Sequence, residues 1–153
     1  MNKEIYYRQS GGISVKAPLE AFHDAMLPLL GKYGVTEKLP ADKPSTAYDY
    51  SGIDFDVLIG EPPNAVRYSK HQTNAYDLGY SSMELEAMLQ NGAADDNLFL
   101  KIEITNFAPE PIKGLWLNVE FKGGKNQVEA MKNAIAPVLA KYDFESQKTE
   151  IKE

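Results

Sequence analysis

The 153-residue sequence contains no cysteine, which excludes disulfide bonds, thiolate metal sites and a cysteine nucleophile. The lack of cysteine also favours a reducing compartment. No apolar run approaches the roughly 18 residues that a membrane-spanning helix needs, and the first residues, MNKEIYY, lack the apolar region of a secretory signal. These features predict a cytoplasmic protein with no membrane partner.

Basic residues are in the minority, with 16 Lys and Arg against 22 Asp and Glu, for a net charge of −6. Nonspecific binding to nucleic acid needs clustered Lys and Arg, so no direct nucleic-acid partner is expected. The acidic excess lies in residues 41–110, which carry twelve acidic and four basic side chains and five of the nine tyrosines. Such a segment would attract a basic protein, although a solubilising acidic surface is the alternative interpretation.

The sequence also lacks the common motifs of catalysis and cofactor binding. It has no nucleophile elbow and no glycine-rich phosphate loop, and its two histidines, His23 and His71, have no partner at metal-ligand spacing. Asp54 and Asp56 alternate along a predicted strand, but the spacing does not match a calcium-binding loop. No catalytic residue, cofactor or metal site is therefore predicted.

Chain length predicts a single domain over residues 1–153. Two apolar patterns at helical spacing predict long amphipathic helices over residues 18–33 and 126–142. Gly34 is expected to end the first of these helices. Ser81-Ser82-Met83-Glu84 fits a capping box and predicts a third, short helix that ends near Gly92.

Strands are predicted from strict alternation between apolar and polar residues. The clearest pair runs from Leu98 to Phe121, with a turn at 108–113, and a final strand is expected at 144–151. Shorter strands are predicted at 4–8 and 12–16 around a Gln9–Gly12 turn, at 47–51 and 53–60, and at 65–72. The fold class is therefore α+β, with antiparallel sheet, two longer helices and one short helix.

The Leu98–Phe121 hairpin is the best candidate for a site. If its aliphatic residues pack against helices, the opposite face presents together the residues Phe99, Lys101, Glu103, Trp116, Asn118 and Glu120. Aromatic rings attract cations, and carboxylates supply directional acceptors, so this face could hold a small hydrophobic or cationic molecule. The alternative is a solvated sheet face with ordinary cross-strand pairs such as Glu120 with Lys101.

The order of predicted elements gives a resemblance to a known family. Residues 12–60 run strand, helix, hairpin and contain YDYSGIDFDV, and residues 65–122 repeat that order and contain LKIEITN and LWLNVEF. This pattern resembles the gyrase-inhibitor-like family, also called the bacterial effector-binding domain, whose members are duplicated strand–helix–strand–strand units. The helix and strand predicted after residue 125 depart from the family.

The resemblance implies a ligand cleft between two halves. It would place four residues of the second half near that cleft: Tyr68, Glu103, Trp116 and Glu120. Tyr50 and Asp56 would face them from the first half. Family members bind hydrophobic or cationic small molecules, some hydrolyse their ligands, and one kind inhibits DNA gyrase.

Three functions remain open from the sequence. The leading hypothesis is a small-molecule (effector) binding domain that holds its ligand on the polar and aromatic sheet face; if it is an enzyme, carboxylate-assisted hydrolysis is expected. The second is an acidic protein-binding inhibitor, such as an immunity protein that covers a basic toxin or nucleic-acid enzyme. The third is a structural subunit with no ligand.

Overall fold

A computed structural model describes residues 4–12, 19–43, 54–75, 78–106, 115–141 and 145–152 of the chain. These residues form seven strands and two helices. In chain order the elements are β1 (Glu4–Gly12), α1 (Leu19–Leu30), β2 (Phe55–Glu61), β3 (Asn64–Ala75), β4 (Leu78–Asn91), β5 (Ala93–Asn106), β6 (Leu115–Gly124), α2 (Lys125–Lys141) and β7 (Glu145–Lys152). The expected α+β class with antiparallel sheet is confirmed.

All seven strands belong to one antiparallel sheet with the order β2-β3-β4-β5-β6-β1-β7. The β5–β6 hairpin was correctly predicted, and Ile102 lies directly across from Val119 in its register. The predicted strands at 53–60, 65–72 and 144–151 correspond to β2, β3 and β7. Residues 13–16 and 47–51, where two further strands were predicted, lie outside the described residues.

The turn predicted at Gln9–Gly12 is wrong, because β1 continues as a strand to Gly12. This strand lies inside the sheet, where it pairs with β6 on one side and β7 on the other. Hydrogen bonding along both edges keeps the two glycines extended, although their intrinsic preference is for turns.

The third helix is also a wrong prediction, because residues 78–91 form β4, the strand between β3 and β5. Ser82-Met83-Glu84-Leu85 alternates outward and inward in the sheet rather than starting a helix. Without that helix, the repeated strand–helix–hairpin order is not found in the described part of the chain. The pseudo-duplicated architecture is therefore not confirmed.

Both long helices pack on the same face of the sheet and against each other. Helix α1 continues as a 3₁₀ turn to Tyr33 and ends at Gly34, whose left-handed φ of 87° and N–H bond to the Gly31 carbonyl (3.1 Å) confirm the expected stop. The apolar faces of α1 and α2, which include Phe22, Met26 and Met131, cover the aliphatic side of the central strands.

One close backbone approach holds β6 against β5. Gly123 has φ of 150°, and a Cβ at this position would lie 2.1 Å from the carbonyl oxygen of Asn97. Only glycine fits there without displacing one of the two strands.

Candidate functional site

The sheet has a second face, which neither described helix covers, and we call it the open face. Because side chains alternate along each strand, it presents the polar half of the sheet. By register, its members include Tyr6, Arg8, Ser10, Asp56, Leu58, Arg67, Ser69, His71, Ser82, Glu84, Glu86, Met88, Phe99, Lys101, Glu103, Thr105, Trp116, Asn118, Glu120 and Lys122. The polar face expected on the Leu98–Phe121 hairpin is thus part of a much wider surface.

Four of the predicted site residues lie on this face within β5 and β6, but the two aromatic ones lie at opposite ends of the hairpin. Phe99 pairs with Lys122 at one end of the hairpin, whereas Trp116 pairs with Thr105 at the other. Six residues along a strand span about 20 Å, so the two aromatic rings cannot hold one small ligand between them. The reason is antiparallel pairing, which sets the start of β5 beside the end of β6.

Tyr68 was predicted as a ligand contact but lies on the opposite face of the sheet, with no solvent exposure. Its ring packs edge-on against Phe55 with centroids 4.9 Å apart. Desolvation in the core raises the pKa of its hydroxyl, and the nearby charge of Glu20 adds to that effect. Tyr68 is therefore a core residue. The sheet separates it from the open face.

Asp56, one of the two residues predicted from the first half of the chain, does not face Trp116. Asp56 is on the open face but on β2, the strand at one end of the sheet, and it forms an exposed ion pair with Arg67. That hydrogen bond holds the pKa of Asp56 below its usual range. β2 and β6 are four strand spacings apart, about 19 Å. Tyr50 lies outside the described residues.

A row of alternating charge crosses the open face from Arg8 through Glu120, Lys101 and Glu86 to Arg67, each directly across from the next. Arg8 Nε lies 3.5 Å from Glu120 Oε1. The register confirms the predicted pairing of Lys101 with Glu120, although the lysine Nζ is 3.9 Å from Glu84 Oε2 in the neighbouring row. This row is largely self-compensating.

The next row is different, because Glu84 and Glu103 lie directly across from each other at the centre of the sheet. We call these two residues the carboxylate pair. Like charges in directly opposed positions destabilise a sheet. Burial raises the pKa of Glu84, and the charges of Glu86 and Glu103 raise it further against the opposing effects of Lys101 and His71.

Hydroxyl groups flank the carboxylate pair. Ser82 Oγ donates a hydrogen bond of 3.2 Å to Glu103 Oε2. Ser69 lies directly across from Glu84, is only 1% exposed, and its Oγ has no hydrogen-bond partner among the described residues. The row therefore places two carboxylates and an unused hydroxyl side by side on three adjacent strands.

Sequence reasoning found Glu103 and missed Glu84, Ser69 and Ser82. The capping-box interpretation assigned Glu84 and the serine before Met83 to the first turn of a helix. The signal that could have found Ser82 and Glu84 is the alternation of Ser82, Glu84 and Glu86 with apolar residues, which also fits a strand.

The described residues line a cavity between the helices and another on the open face. One of about 60 Å³ lies between the helices near Tyr33 and Met131. The other, of about 160 Å³, lies at the end of the open face where Met88, Phe99 and Lys122 meet. Neither cavity includes Trp116. Among the described residues, no group of three His, Cys, Asp or Glu side chains is placed to hold a metal ion.

The chain was also compared with known proteins. No family model, no curated protein and no solved structure matches it. The resemblance to the gyrase-inhibitor-like family stays a prediction. No described helix is both long enough and apolar enough to cross a membrane.

Proposed function

We propose that this protein is a binding module that recognises a basic protein partner through its open face. The observation that carries the proposal is the carboxylate pair, Glu84 and Glu103, opposed at the centre of that face. Two carboxylates held together are unfavourable alone and become favourable beside a cation, so this part of the sheet is suited to binding positive charge.

The dimensions of the open face favour a protein over a small molecule. Six strand spacings by about eight residues of strand give roughly 760 Å², close to the roughly 800 Å² that each partner contributes to a standard protein interface. Small ligands are usually enclosed in cavities of about 300–1,000 Å³, and the cavity that Met88, Phe99 and Lys122 line on this face is about 160 Å³.

Charge also supports this choice. The acidic segment 41–110 supplies the open face with Asp56, Glu84, Glu86 and Glu103. With Glu120 they make five carboxylates against four Lys and Arg side chains among the members named for this face, and the row of the carboxylate pair from β2 to β6 contains none of those four. The whole chain carries a net charge of −6. Complementary charge accelerates association with a basic protein and selects against acidic partners. An inhibitor that covers a basic active site needs both effects.

A small-molecule ligand is the second candidate, because the 160 Å³ cavity brings Phe99 and the 71% exposed Met88 together with Lys122. An aromatic fragment would contact the ring and the thioether there. Met88→Trp, which fills the cavity, distinguishes the two candidates. It abolishes binding of such a fragment but leaves partner binding at the carboxylate pair intact.

The test compares two charge-reversed variants of the tagged protein. Glu84→Lys/Glu103→Lys alters the open face, whereas Glu61→Lys/Glu129→Lys makes the same change in net charge at exposed positions away from it. Both variants and the wild type are used to capture proteins from an extract of the source organism, and the affinity for any captured protein is then measured after its purification.

We expect the wild type and the Glu61/Glu129 variant to retain the same basic protein, with an affinity that falls as salt is added. The Glu84/Glu103 variant should lose it. Equal retention by the two variants would contradict a role for the open face.

A further inference from the structure

We infer that Glu84, Glu103 and Ser69 form a subsite for a primary ammonium group at the centre of the open face. This inference rests on the proposed function, since it specifies which group of a basic partner enters the face. It adds a chemical preference, for lysine-like over arginine-like cations, that a generally acidic surface would not have.

The first step is the position of the three residues. Ser69, Glu84 and Glu103 occupy one row on β3, β4 and β5, directly across from one another. Directly opposed residues have Cβ atoms about 4.5–5.5 Å apart, so their side chains can reach a single small group placed above Glu84.

The second step is the state of Ser69. A buried hydroxyl without a partner is costly, and Ser69 is 1% exposed with no partner for its Oγ among the described residues. A donor placed beside Glu84 would satisfy this oxygen as well. An acidic cluster in which every polar group already had a hydrogen-bond partner would not point to a ligand.

The third step is the local charge. The row that contains the pair runs from Asp56 on β2 through Ser69, Glu84 and Glu103 to Asn118 on β6 and has no basic side chain. Arg8, Arg67 and Lys101 lie in the neighbouring row on one side, and His71 lies in the row on the other. Lys101 Nζ lies 3.9 Å from Glu84 Oε2. Negative charge therefore remains at the pair.

The fourth step is the choice of cation. An ammonium is compact and has three donors, which match acceptors on three separate side chains. A guanidinium is planar and is best matched by one carboxylate that accepts two parallel bonds. A calcium ion would need six or more oxygen ligands. The arrangement on β3, β4 and β5 fits the ammonium best.

The probes are a tetralysine peptide, a tetraarginine peptide and spermidine, titrated at low ionic strength into the ¹⁵N-labelled full chain. Tetralysine and spermidine present the same group from a protein-like source and from a free amine. The variants are Glu84→Gln, Glu103→Gln and Ser69→Ala. Glu86→Gln is the matched control, because it removes one carboxylate from the same strand and face. Thermal unfolding of each variant verifies that it is folded.

We expect tetralysine to shift the amide signals of Ser69, Glu84 and Glu103 and to bind more tightly than tetraarginine. Glu84→Gln and Glu103→Gln should each weaken tetralysine about tenfold and Ser69→Ala about threefold, as for lost charged and neutral hydrogen bonds. Glu86→Gln should change the Kd by less than about twofold. Tighter binding of spermidine than of tetralysine would identify a free amine as the source of the ammonium.

Two outcomes overturn the inference. If the peptides bind equally and Glu86→Gln weakens them as much as Glu84→Gln, the face attracts basic partners without an ammonium subsite, and the proposed function still stands. If no probe binds, the subsite is excluded. The capture experiment with the Glu84/Glu103 variant then decides the proposed function separately.

Discussion

At the scale of single residues, His23 is the buried group with the clearest consequence. Its side chain has no solvent exposure, and Nε2 donates a 2.8 Å hydrogen bond to the Glu37 carbonyl. Nδ1 has no partner among the described residues. Desolvation lowers the pKa of the ring, although the Glu37 bond and the charge of Asp24 partly oppose this effect. Burial thus favours the neutral form of His23 in the folded protein.

We predict that His23 makes stability decrease in mild acid. Because the folded-state pKa is below the unfolded value of about 6.5, the unfolded chain takes up the proton first. The free energy of unfolding therefore falls as the pH drops below about 6.5, and this loss ends once the folded pKa is passed. Urea unfolding between neutral and mildly acidic pH measures the dependence.

His23→Gln is the control for this prediction, since its amide can still donate to Glu37 but does not titrate. The variant should have a flatter pH dependence over the same window, while the carboxylates contribute equally to both proteins. Parallel curves would show that His23 is not responsible.

At the scale of elements, β4 offers a direct test of which side of the sheet is core. Leu85 is fully buried under the helices, whereas Met88, three residues later on the same strand, is 71% exposed on the open face. We predict that Leu85→Ala lowers the free energy of unfolding by about 2–5 kcal/mol. Met88→Ala should change it by less than about 0.5 kcal/mol. Chemical denaturation of both variants provides the comparison, and similar losses would contradict the assigned faces.

The same strand shows where local sequence stops being informative. β5 and β6 were predictable because apolar and polar residues alternate strictly along each strand, and each strand is the hairpin partner of the other. In β4, Ser81–Glu84 resembles a helix start, and Leu85, Met88 and Leu89 also fit helical spacing. Pairing to β3 on one side and to β5 on the other selects the strand over the helix, and the spacing within residues 81–89 does not encode that pairing.

The candidate site follows the same logic. Glu103 was found because its place on the polar face depends only on the alternation within β5. Glu84 and Ser69 become its neighbours only through strand order and register, which no local pattern encodes. Tyr68 was misplaced for a related reason: the resemblance implied a cleft, whereas its strand turns that residue toward the helices.

At the scale of the whole molecule, strand order predicts the pattern of hydrogen exchange. β1 comes early in the chain but lies between β6 and β7, whereas β2 is at one end of the sheet formed by the described residues. We predict that β1 amides exchange more slowly than β2 amides, because they open only when bonds to two strands are lost. Exchange followed by mass spectrometry measures this, and faster exchange of β1 would contradict it.

The interior position of β1 has a further consequence for synthesis. Tyr7 pairs with Phe121 and Ile151, so this strand leaves the ribosome more than a hundred residues before either partner. At translation rates of about 5–20 residues per second, that interval is roughly 5–20 s. During it the nascent chain carries an unmatched strand with an apolar side. The sheet can be completed only after translation has passed α2. Pairing with the late-synthesised strands then covers the edges of β1, which protects β1 from aggregation.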